Sequence, residues 1–109
     1  MLYREERLNK TIRDELSLLV AREVELGTLT TITEVDVRDT HEDATVKISV
    51  IPSSKADEAL KILQRESGRL RSLLSRKIRI RAIPRLVFEI DHGPEKAADI
   101  EKMFLDPNN

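Results

Sequence analysis

Between Arg4 and Glu25 the apolar residues Leu8, Ile12, Leu16, Leu19, Val20 and Val24 recur at spacings of three and four, the mark of one long amphipathic helix. Gly27 is placed to end it. The period then changes. "TTITEVDVRD" places Val35 and Val37 two apart, and "ATVKISVIP" continues in twos through Ala44, Val46, Ile48 and Val50. Two strands are predicted, and the short polar link "THED" favours an antiparallel hairpin over a crossover.

Helical spacing returns after Pro52, with Ser53 and Ser54 as capping candidates. The stripe runs Ala56, Leu60, Leu63, Ser67, Leu70, Leu74, so a serine takes one apolar slot. At about 100° per residue, Arg65, Arg69 and Arg76 fall opposite that stripe. "KIRIRAIP" then alternates in twos, Ile78 and Ile80 against Lys77, Arg79 and Arg81, with Ile83 held extended before Pro84. "LVFEID" reads as a last strand through Leu86, Phe88 and Ile90. "GPEKAADIEKMF" opens a C-terminal helix with Pro94 in its first turn. "LDPNN" is expected to fray.

The predicted order is therefore α, β, β, α, β, α. The class is α+β: a three-stranded sheet with helices on one face and a single core. A chain of 109 residues suits one domain, read here as residues 1–105 with a short tail at 106–109. There is no cysteine, so neither a disulfide framework nor a thiolate metal site is available. No stretch approaches a membrane span and "MLYREERLNK" lacks an apolar targeting core, so a cytoplasmic, unanchored protein is expected.

Charge changes the picture most. The net charge is −1, yet residues 65 to 85 hold eight basic side chains (Arg65, Arg69, Arg71, Arg76, Lys77, Arg79, Arg81, Arg85) against one acid, Glu66. That stretch carries +7 and the remainder −8, which makes a strongly dipolar molecule. A solvated helix face normally interleaves acids with its bases, and this one hardly does. Guanidinium groups contact phosphate oxygens bidentately and stay charged, so a phosphate-binding surface is the stronger reading. Arg4 and Arg7 are weaker candidates because Glu5 and Glu6 offset them.

Aromatic residues are limited to Tyr3, Phe88 and Phe104, and Phe88 sits on the core period. Backbone and shape readout are thus favoured over base stacking. The Ser67–Gly68 pair either relieves crowding between elements or kinks the helix, and a kink would redirect Arg69, Arg71 and Arg76 relative to Arg65.

Taken together, "ILQRESGRLRSLLSRKIRIRAIPRLVFEID", "REERLNKTIRDELSLLV" and "TTITEVDVRDTHEDATVKISVIP" resemble the bacterial ribosome-binding factor A family, in the same order and over nearly the whole chain. The resemblance implies a type II KH-like fold in which a helix kink with an alanine-any-glycine motif replaces the GxxG loop. The matching tripeptide here is Glu66-Ser67-Gly68, with glutamate in place of alanine, and Gly27, Gly68 and Gly93 cannot form a GxxG. It further implies a non-catalytic assembly factor, linked to cold adaptation, that binds the free 30S subunit and 16S rRNA. Such a factor assists maturation of the 16S rRNA 5′ end and leaves when maturation is complete. Nothing in the sequence resembles the longer polar C-terminal extension of some members. The eight basic residues would supply phosphate contacts and Ser67 with Gly68 would direct them. No cofactor, metal, membrane or DNA partner is implied, and a monomer is expected.

Two rivals use the same residues differently. A protein-interaction module would bind an acidic partner through the basic face. A ribonuclease would need an acid-base or metal constellation, for which His41 with Glu42 and Asp43, or His92 with Asp91, are only turn residues. No nucleophile elbow or Gly-rich phosphate loop is present. The Asn9-Lys10-Thr11 sequon lies on a predicted helix and is set aside.

Overall fold

The structure, a computed structural model, describes residues 2–38, 40, 42–80 and 82–93, with residues 2–5 described by backbone alone. The expected C-terminal helix and tail, together with His41 and Arg81, lie outside the described residues.

Helix α1 spans Leu2–Glu23, strand β1 Leu29–Val37, strand β2 Asp43–Ile51, helix α2 Ala56–Ser75 and strand β3 Arg85–Ile90. The strands form one sheet in the order β1-β2-β3. β1 and β2 are antiparallel, as the short link favoured, while β3 lies parallel to β2 after the α2 crossover.

Each predicted stripe faces the core. Ile12, Leu16, Leu19 and Val20 of α1 are buried, as are Ala44, Val46, Ile48 and Val50 of β2 and Leu86 and Phe88 of β3. α2 contributes Ala56, Ala59, Leu63, Leu70 and Leu74. Both helices cover the same side of the sheet. Burial of one such leucine stabilises the fold by roughly 1.5–3 kcal/mol, so this layer is what holds α2 in place.

Gly27 carries φ +67, a left-handed turn that L side chains resist and that swings the chain from α1 into β1. Asn9 Oδ1 accepts the Val37 N–H at 2.9 Å, which fixes α1 against the β1 edge. In β1 the register slips at Thr33. This bulge lets Ile32 and Val35, an odd three residues apart, share the buried face.

The start and the end of α2 differ from the simplest reading of the pattern. Neither Ser53 nor Ser54 caps α2: Ser53–Lys55 form a 3-10 turn, Lys55 is the N-cap, and neither the turn nor the helix has a side-chain cap. The Lys55 N–H bonds the Pro52 carbonyl at 3.0 Å, and Asp57 and Glu58 supply negative charge in the first turn of α2. Residues 77–80 alternate in twos in sequence but form no strand. β3 begins where Arg85 pairs with Asp43, the first residue of β2, so the preceding residues overhang the end of the sheet with no strand to bond. Ile78 is buried in the turn that closes α2, whereas Ile80 is exposed.

Candidate nucleic-acid interface

α2 runs without interruption through Ser67 and Gly68. Ser67 is half-buried in its slot, and its hydroxyl donates to the Gln64 carbonyl at 2.9 Å, so the helix itself satisfies the serine. Gly68 is exposed, has no positive φ, and a Cβ built there would meet nothing within 4 Å. Among the described residues, nothing crowds this glycine. Any bend the pair allows arises inside a continuous helix.

The eight basic residues divide by what their side chains do. Arg69 is committed to the fold: its Nε donates to Glu66 Oε2 at 2.8 Å, and one terminal nitrogen donates to the Glu23 carbonyl at 2.8 Å. The other terminal nitrogen approaches Glu23 Oε2 at 3.5 Å. Glu23 is the last residue of α1, so a cation meets an unsatisfied carbonyl at the negative end of that helix. The Arg69 hydrogen bond holds the Glu66 carboxyl below its usual range, and Glu66 in turn raises Arg69. Glu66, the one acid of the basic stretch, thus partners Arg69.

Arg71 and Arg85 are likewise tied. Arg71 Nε donates to the Ile83 carbonyl at 2.8 Å, anchoring the link between α2 and β3. Arg85 binds Asp43 in a fork, at 3.0 and 3.2 Å, beside the first residue pair of β2 and β3.

Arg65, Arg76, Lys77 and Arg79 are exposed and make no side-chain hydrogen bond or ion pair among the described residues. Arg65 and Arg76 share the outer face of α2, and Lys77 and Arg79 follow in its closing turn. That turn is fixed by backbone bonds from the Arg76, Lys77 and Ile78 N–H groups to Leu73 and Leu74. Lys61, one turn before Arg65, is exposed on the same face. Lys61 precedes the dense basic run and stands apart from it in composition, and its spacing of four from Arg65 is the sequence signal that places it on this face. The arrangement offers preorganised positive charge along a rigid helix and its closing turn, suited to phosphate oxygens. Among the described residues no three His, Cys, Asp or Glu side chains gather as metal ligands, and no helix is long and apolar enough to cross a membrane.

Residues 4–104 match the family model described as Ribosome-binding factor A. A ribosome-binding factor A of Desulfitobacterium hafniense is 33% identical over 106 residues, covering 94% of this chain and 84% of that protein. The crystal structure of ribosome-binding factor A from Thermus thermophilus superposes with a TM-score of 0.68 at 24% identity, covering 79% of this chain and 94% of that one. A Thermus thermophilus homology model of that factor, fitted into the cryo-EM map of a complex with the 30S subunit, gives 0.66 at 23% identity, with coverage of 76% and 90%.

Proposed function

The chain belongs to the ribosome-binding factor A family, and from that premise we propose that it binds the free 30S subunit and its 16S rRNA through the outer face of α2 and the turn that follows. The observation that carries this reading is the set of unpaired cations Arg65, Arg76, Lys77 and Arg79 along the outer face and closing turn of α2, a helix whose opposite side is locked into the core. The Thermus factor placed on a 30S subunit supports the choice of partner. Arg69, Arg71 and Arg85 support the surface from behind by holding α1, α2 and β3 in register, and the same structural bonds leave them less to give to phosphate.

On this reading the protein is a cytoplasmic monomer that assists late maturation of the 16S rRNA 5′ end without catalysing it. It holds rRNA in a processing-competent shape through backbone contacts, which need charge and rigidity but no acid-base pair. The test is complementation of a bacterial strain lacking its own family member. Wild-type protein should co-sediment with free small subunits and restore mature 16S 5′ ends by primer extension. A variant with Arg65, Arg76, Lys77 and Arg79 changed to alanine should do neither while remaining folded. Restoration by that variant, or association with an acidic protein and not with subunits, would refute the proposal.

A further inference from the structure

The free positive charge on α2 is not continuous. Positions 61, 65, 68, 72 and 76 form one exposed ridge at spacings of three and four. Lys61 and Arg65 stand at one end, and Arg76, followed by Lys77 and Arg79, at the other. Gly68 and Ser72 lie between them, so the middle of the ridge is low and neutral. Arg69 and Arg71 border that middle, but the charge of Arg69 is met by Glu66 and Glu23, and Arg71 is turned off the ridge to the Ile83 carbonyl. At ~1.5 Å per residue the two charged ends are separated by about 16 Å along the helix.

A single-stranded backbone laid along this ridge would set phosphates over the neutral centre, and among the described residues its bases would find no exposed aromatic ring, Phe88 being buried. Two backbones flanking a shallow groove match the pattern instead. A-form RNA presents such a groove, wide, shallow and lined by 2′-hydroxyls, on its minor-groove side. A ridge with nothing larger than serine at its centre can lie across that groove without inserting a side chain. The minor groove of B-DNA, only ~6 Å wide, does not span the two ends.

We propose that this face recognises double-stranded RNA across its minor groove, with Lys61 and Arg65 on the phosphates of one strand and Arg76, Lys77 and Arg79 on those of the other. Ser72, exposed between them, is placed to exchange a hydrogen bond with a 2′-hydroxyl. The inference rests on the rRNA-docking reading and names the kind of RNA that reading leaves open.

The experiment is a fluorescence-anisotropy titration of the purified chain with a short blunt RNA duplex, a single strand of equal length and the DNA duplex of the same sequence, over a series of salt concentrations. The RNA duplex should bind about tenfold more tightly than either competitor. Arg65→Ala and Arg76→Ala should each reduce the salt slope of duplex binding by about 1. Ser72→Leu, at an exposed site that the fold does not use, should weaken duplex binding and leave single-strand binding unchanged. Equal affinity for single strand and duplex, or equal weakening of both by Ser72→Leu, would overturn the inference. If the chain still bound small subunits in that event, the rRNA-docking reading would stand and only the duplex assignment would fall. Loss of subunit binding would mark failure of the docking reading itself.

Discussion

Replacing Gly68 by alanine should make this protein more stable and a poorer ligand for its subunit. Glycine in a helix interior is about 0.8–1 kcal/mol less favourable than alanine. Ordinarily such a glycine is kept because the backbone needs a positive φ or because a neighbour leaves no room. Neither holds here, since Gly68 has no positive φ and a Cβ would meet nothing within 4 Å. The full propensity difference should therefore appear as stability, about 1 kcal/mol, or a rise in Tm of roughly 4 °C for a domain of this size. Urea unfolding followed by circular dichroism would show it as a midpoint higher by about 0.5 M, with the slope unchanged. The added methyl stands on the ridge between Arg65 and Arg76, so binding to small subunits should weaken in the same variant. A Gly68→Ala protein less stable than wild type would refute the reasoning, because it would mean that the native chain turns at Gly68 into a conformation alanine resists.

Three other substitutions probe different levels of the account. Leu63→Ala removes a fully buried side chain of α2 and should lower stability by about 2–5 kcal/mol in a denaturant titration; a loss under about 1 kcal/mol would mean that α2 is not packed as described. Arg69→Ala should lower the unfolding midpoint by releasing the end of α1, whereas Arg65→Ala should leave the midpoint unchanged and weaken subunit binding; the reverse ranking would contradict the division of the arginines. Asp91 is held below its ordinary range, first by the Thr33 hydroxyl donating at 2.7 Å and then by the Gly93 N–H at 2.9 Å. A lowered native pKa stabilises the fold above the ordinary aspartate range, and that contribution is lost as pH falls through the lowered value. Thr33→Val should accordingly reduce stability at neutral pH and converge with wild type in acid. A gap that is the same at both pH values would show that the hydroxyl acts through packing alone.

The layered core was legible because periodicity and burial are the same fact seen twice. Ile12, Leu16 and Leu19 had to share a side of α1, and Val46, Ile48 and Val50 a face of β2. Period alone does not make a strand. Lys77 to Arg81 alternates as a strand does, but a strand needs a bonded neighbour, and β2 begins only opposite Arg85. The bulge at Thr33 did leave a trace, the odd interval between Ile32 and Val35.

The basic surface was legible as composition and illegible as chemistry. Arg69 and Arg85 looked as available as Arg65 and Arg76. Glu66 lies only three residues from Arg69, but Glu23 and Asp43 are distant in sequence and adjacent only once α1 and β2 are in place. Local charge counts cannot see pairings made by tertiary structure, so the free cations could be separated from the committed ones only after folding. Lys61 was missed for the complementary reason: its membership in the ridge comes from helical spacing, outside the densest run.

The central claim is that free cations at the end of α2 neutralise rRNA phosphates. Its most direct test is the affinity of purified protein for free small subunits over a series of salt concentrations, wild type against a variant with Arg76, Lys77 and Arg79 changed to alanine. Neutralising three phosphate contacts fewer should leave the variant weaker and its log–log salt slope shallower by roughly 2–3. Equal affinity and equal slope for the two proteins would contradict the account and move the docking surface away from this face.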